Sequence, residues 1–100
     1  MLTDQQTQLK KRLQEIASQE DNQIIYCKEW LGYFPYGAYH WIEYKGKDIT
    51  DQISKDIPEW EGKDLLALEE VGFLKKVNEW QNPKDETERK ITYRIYFESL

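Results

Sequence analysis

The chain predicts one α+β domain, residues 1–100, in the order helix, β-hairpin, one or two short helices, β-hairpin. Three observations predict it. Apolar residues recur at helical spacing near the N-terminus, residues 23–30 and 38–45 are rich in β-branched and aromatic side chains, and residues 90–97 alternate apolar and polar. Two hairpins with helices on one face make a four-stranded antiparallel sheet covered on one side. The strand order between the hairpins does not follow from these patterns.

The first helix opens at Thr3 and Gln6, which have capping-box spacing: the hydroxyl takes an orphan amide and the Gln side chain reaches back. Leu9, Leu13, Ile16 and Ala17 form its apolar stripe, and the polar run 18–22 ends it. Residues 23–30 and 38–45 then pair as antiparallel strands, because the connection 31–37 is too short for a parallel crossover. Residues 45–48 read as a turn. Ile49, Ile53 and Ile57 sit four apart, a short helical segment that Thr50 or Asp48 caps and Pro58 either stops or hands to the next helix.

Leu65, Leu68 and Val71 place a helix over 63–71. Gly72 falls where a left-handed residue closes a helix, and Phe73 falls where its side chain meets Leu68. The last hairpin joins Phe73–Trp80 to Lys90–Phe97 through a polar turn, 81–89. Pairing Val77 with Tyr93 sets Phe73 opposite Phe97. A helix followed by a hairpin with a basic tip is also the order of a recognition helix and wing, so a winged-helix-like fold is the alternative.

Composition narrows the function. The chain weighs 12.1 kDa and carries a formal charge of −5, from 14 basic and 19 acidic residues. Surface scaling gives roughly 6,000 Å² exposed when folded against about 17,500 Å² unfolded, enough for one modest core. No apolar run approaches the ~20 residues of a membrane helix. The N-terminus lacks the basic-then-apolar pattern of a secretory signal. One cysteine excludes an internal disulfide framework. The expectation is a soluble, cytoplasmic domain, with monomer and homodimer both open.

The same residues disfavour an enzyme. Cys27 and His40, one of each and thirteen apart, cannot make a zinc site, and no metal or other cofactor is expected. A Cys27–His40 dyad depends on register: it forms if Tyr26 pairs with Trp41, and one step of slip sends the two to opposite faces. Glu29 and Glu43 are the carboxylates the first hairpin can bring together among aromatics, where burial raises a carboxyl pKa. The five glycines match no phosphate-binding loop. Nucleic acid is disfavoured by charge: between Asp51 and Glu70, two lysines face seven acids, which repel phosphate. An acidic mimic that occupies another protein's nucleic-acid site is the third reading.

The aromatic block exceeds background. Eight of the 14 aromatics fall within 26–44, three of them in the six residues Gly32–Gly37. Loops lie at the surface, and Tyr and Trp dominate binding hot spots because they bring large area with few rotors. The expected function is therefore a small, acidic, non-enzymatic binding or regulatory module. It recognises a partner protein through the aromatic hairpin and loop, residues 30–44. The candidate binding residues are Tyr33, Phe34, Tyr36, Tyr39 and Trp41, with an acidic rim of Glu59, Glu61 and Asp64.

Overall fold

The computed structural model describes residues 2–30 and 38–97, with side chains except at 30, 38, 39 and 85–87. Helix α1 (Asp4–Ile16) starts at the expected capping box. Thr3 Oγ1 accepts from the Gln6 amide at 3.1 Å, and Gln6 Oε1 accepts from the Thr3 amide at 3.0 Å. Its stripe is buried at Leu9, Leu13 and Ala17.

Strands β1 (Gln23–Trp30) and β2 (Ala38–Tyr44) form the first hairpin. The turn after them does more than expected. Lys45 and Gly46 both have positive φ (53° and 78°), the two-residue turn whose twist matches flanking strands. The chain therefore leaves it already paired: β3 (Lys47–Asp48) sets Tyr44 opposite Lys47 and Glu43 opposite Asp48. The described sheet has five strands, not four.

Ile49, Ile53 and Ile57 are all buried around the short helix α2 (Thr50–Ser54), and the Thr50 amide donates to Asp48 Oδ1 at 2.8 Å. Pro58 lies in a turn ahead of α3 (Gly62–Glu70). Helix α3 ends as the sequence predicts. Gly72 has φ 85°, its amide donates to Glu69 O at 3.0 Å, and the Phe73 amide donates to Leu68 O at 3.0 Å, the paired bonds of a Schellman stop.

The last hairpin, β4 (Leu74–Asn82) and β5 (Asp85–Ile95), corrects two expectations. Most of the polar segment 81–89 is strand, with the turn at residues 83–84, because ladder hydrogen bonds do not require apolar side chains. The expected register holds only in the middle of the hairpin, from Asn78 opposite Thr92 to Gln81 opposite Arg89, and shifts toward the tip at Asn82 opposite Asp85. A bulge at Val77 then shifts it by one, so Lys76 and not Val77 opposes Tyr93. Leu74 thereby meets Ile95, and Phe73 bonds to Tyr96 through its carbonyl (2.8 Å) and not opposite Phe97.

The sheet order is β3-β2-β1-β5-β4. The two hairpins join at β1 and β5, from Gln23↔Arg94 to Lys28↔Arg89. The hairpin that a winged-helix reading treats as a free wing thus supplies an interior strand. Ile24, Ile42, Tyr93, Ile95 and Leu74 face the helices and share one core with Leu9, Leu13, Ile53, Leu65, Leu68 and Phe73. Among the described residues no helix crosses the other face, and none is long and apolar enough to span a membrane.

Candidate functional site

Register decides which side chains of the aromatic hairpin meet. Tyr26 opposes Ile42, Cys27 opposes Trp41 and Lys28 opposes His40. Alternation then puts Tyr26, His40 and Ile42 on the helix side, and Cys27, Trp41 and Glu43 on the open side. Cys27 and His40 are on opposite faces, so the possible dyad is not formed.

On the open side, Cys27 is fully buried although no described helix covers it. Its Sγ lies 3.7 Å from Glu43 Oε2, which also accepts from Trp41 Nε1 at 2.7 Å. Burial first, and then the Glu43 charge, push the thiol up to about 12, against a smaller opposing pull from Lys90. A thiol held protonated and enclosed is a poor nucleophile. Glu29 and Glu43 share this face but stand opposite Tyr39 and Ile25, four positions apart along the strands, so they form no carboxylate pair.

On the helix side, His40 sits in a ring cluster. Its Nδ1 is 3.0 Å from the Tyr26 hydroxyl. Its ring lies 4.3 Å from that of Trp60 at an interplanar angle of 34°, and Tyr26 meets Trp60 edge-on at 6.0 Å. Trp60 is buried and donates from Nε1 to Ser54 Oγ at 3.2 Å. Burial lowers the His40 pKa, partly offset by Glu61, and burial raises Tyr26 to about 12. Both shifts favour the neutral forms, and the Tyr26 hydroxyl and His40 Nδ1 share one hydrogen bond.

The cluster lies at the base of a shallow groove of about 480 Å³ bordered by Gln5, Glu59, Glu61 and Lys63. Glu61 pairs with Lys63 at 3.2 Å. Gln5 Nε2 bonds the Glu59 carbonyl at 3.2 Å, joining α1 to the approach to α3. Gly62 makes the close packing possible, since a Cβ there would stand 2.9 Å from the Tyr26 hydroxyl.

The predicted site residues therefore divide. Glu59 and Glu61 are exposed on the groove rim. Asp64 lies beneath it, only 2 % exposed, accepting from Gln5 Nε2 (2.8 Å), Gln6 Nε2 (3.2 Å) and the Glu61 amide (2.9 Å). Burial alone would raise its carboxyl pKa, but those bonds outweigh burial and hold it low. Asp64 thus caps α3 and ties α1 to it. Trp41 is on the opposite face from this rim. Tyr39 belongs to β2 opposite Glu29, and Tyr33, Phe34 and Tyr36 lie outside the described residues. Sequence reasoning did not find the Tyr26–His40–Trp60 cluster; Trp60, set between two glutamates, gave no sign of a partner twenty residues earlier.

Comparison with protein-family models, curated proteins and solved structures finds no match. Among the described residues no three His, Cys, Asp or Glu side chains converge as metal ligands.

Proposed function

We propose that the chain is a non-enzymatic binding or regulatory module that recognises a partner protein at the end of the domain where the first hairpin meets α3. The observation that carries this reading is the stacking of His40 on Trp60. β2 leaves the aromatic loop at Ala38, and two residues later His40 packs on the ring that stands between Glu59 and Glu61. The loop's root and the acidic rim thus occupy one end of the molecule. Aromatic area beside exposed carboxylates suits a segment bearing Lys or Arg, which gains both ion pairing and contact with ring faces. The chemistry of the titratable groups supports binding over catalysis: His40 and Tyr26 satisfy each other as neutral groups, and Cys27 is enclosed and protonated.

The test uses two variants. One replaces Tyr33, Phe34 and Tyr36 with alanine, and the other carries Glu59→Lys and Glu61→Lys. Both are expected to melt within a few degrees of wild type and to lose the proteins that wild type retains in a pull-down. Collapse of the loop variant's melting temperature would make those aromatics core residues and sink the reading. So would a salt-sensitive shift of random duplex DNA by the wild-type chain at low salt.

A further inference from the structure

The outer edge of β2 is covered over only part of its length. β3 pairs with Glu43 and Tyr44, and no described strand lies beyond the rest of β2. Two bonds fix the direction of the backbone there. The Ile42 amide donates to Thr50 Oγ1 at 3.0 Å, and the Ile42 carbonyl accepts from the Ile49 amide at 2.8 Å. Both groups of Ile42 therefore point away from β1. Backbone groups alternate sides along a strand, so those of Ala38 and His40 point outward as well. The β1–β5 ladder agrees. The Asn22 carbonyl accepts from the Ile95 amide at 2.7 Å, which turns Ile24, Tyr26 and Lys28 toward β5 at every second step. Lys28, opposite His40, thus offers it no backbone bond. Among the described residues nothing bonds to the outward groups of Ala38 and His40.

The other edge is defended. β4 carries a bulge at Val77, with Lys75 and Lys76 beside it and a Lys76–Glu79 ion pair at 3.8 Å. Bulges and edge lysines keep a sheet from adding strands. Residues 38–41 have no lysine, carboxylate or proline, and their pairing with β1 runs without a bulge.

Beside this undefended stretch is the acidic groove. His40 and Trp60 line it, and Glu59 and Glu61 border it. Glu59 makes no ion pair among the described residues, and Glu61 pairs with the exposed Lys63. A strand added antiparallel to β2, in line with β3, sets one residue opposite His40 as a hydrogen-bonded pair, Cα atoms ~5.5 Å apart. Its side chain leaves on the same face as the His40 ring, which is the groove side. The chemistry that suits a side chain there is cationic.

We infer that the outer edge of β2 takes an extended basic segment of the partner protein as an added antiparallel strand. The segment bonds to the backbone of Ala38 and His40 and sets Lys or Arg opposite His40, at the carboxylates of Glu59 and Glu61. Main-chain bonds supply affinity in this mode, and alternate side chains supply specificity. This mode of binding rests on the partner-recognition reading of the same end of the domain.

The probe is an octapeptide of alternating threonine and arginine, blocked at both ends and titrated into the isotope-labelled chain under NMR. In the free chain the His40 amide should exchange with solvent at least about tenfold faster than the Trp41 amide, which faces β1. Peptide should slow His40 exchange by a similar factor. Methylating the arginine backbone nitrogens, which face β2 in this pairing, should weaken binding by about tenfold or more. Methylating the threonine nitrogens, which face away, should change it less than about threefold. Glu59→Lys with Glu61→Lys should also weaken it by about tenfold or more. Ala38→Pro should fold like wild type, because its nitrogen faces outward, and should bind as poorly as the methylated arginine peptide does. The methylated peptides use the wild-type chain, so their comparison stands even if Ala38→Pro misfolds. A free-chain His40 amide as protected as that of Trp41 overturns the proposal. So do two methylated peptides that bind alike, and so does a peptide that does not bind at millimolar concentration. If the methylated peptides bind alike while Glu59→Lys with Glu61→Lys still weakens binding, the added strand fails and partner recognition at this end stands.

Discussion

Gly62 is the residue on which the ring cluster closes. A methyl group there would meet the Tyr26 hydroxyl at 2.9 Å, and that hydroxyl is held in place by His40. Gly62→Ala should therefore destabilise the fold by about 1–3 kcal/mol, as overpacking does. The colliding atom is the hydroxyl, so the loss should be smaller in a Tyr26→Phe background. A double-mutant cycle from denaturation midpoints measures the difference.

Protonation sets a second expectation at this scale. The folded His40 pKa lies below its ordinary 6.5, so the unfolded chain binds its proton first. Stability from this group is complete above pH 6.5 and falls as pH drops through 6.5 toward the folded value. His40→Gln should flatten unfolding midpoints over that window. Asp64 acts in a separate, lower window: its folded pKa is held below 3.8, so its contribution is lost only as pH falls from about there through the folded value. Cys27 gives the third. Buried and with its pKa pushed up to about 12, it should react with iodoacetamide at pH 8 only through opening of the sheet. Labelling should then accelerate in step with added urea, and prompt labelling of the native chain would contradict the described register.

At the scale of elements, local sequence signals closed the ends of helices correctly. The Thr3–Gln6 box and the Gly72–Phe73 stop each satisfy orphan backbone groups with neighbours three to five residues away. Thr3→Ala should cost about 1 kcal/mol. Gly72→Ala, which forces a side chain into φ 85°, should cost about 1–2 kcal/mol. A melting-temperature drop of roughly 4–8 °C per kcal/mol makes either visible in a chain this size. Strand ends were harder. The short β3 was hidden because two residues carry no periodicity, and the bulge at Val77 was hidden because alternation in β5 continues unbroken past it.

For the whole molecule, the five-stranded order puts the two hairpins side by side at β1 and β5, and among the described residues one broad face carries no helix. That arrangement separates two surfaces that the sequence presented as one aromatic excess. His40 belongs to the end with Glu59 and Glu61, whereas Trp41, its neighbour in sequence, belongs to the open face with Trp80. A Glu61→Lys variant should therefore lose a retained partner in a pull-down, while Trp41→Ala, on the other face of the sheet, keeps it.

What the sequence by itself determined is local: the helix caps, the apolar stripes, the first two strands to the residue or nearly so, and the α+β class. Those features depend on hydrogen bonds and side-chain spacing within a few residues. The tertiary structure alone decided the register and the joining of the hairpins, and with them the fate of each candidate group. One step of slip between β1 and β2 would have set Cys27 facing His40. The packing of Ile24, Ile42 and Tyr93 against the helices selects the other register, because a one-residue slip would turn a strand's apolar side chains to the open face. The same packing withdrew Asp64 from the acidic rim and turned it into the tie between α1 and α3.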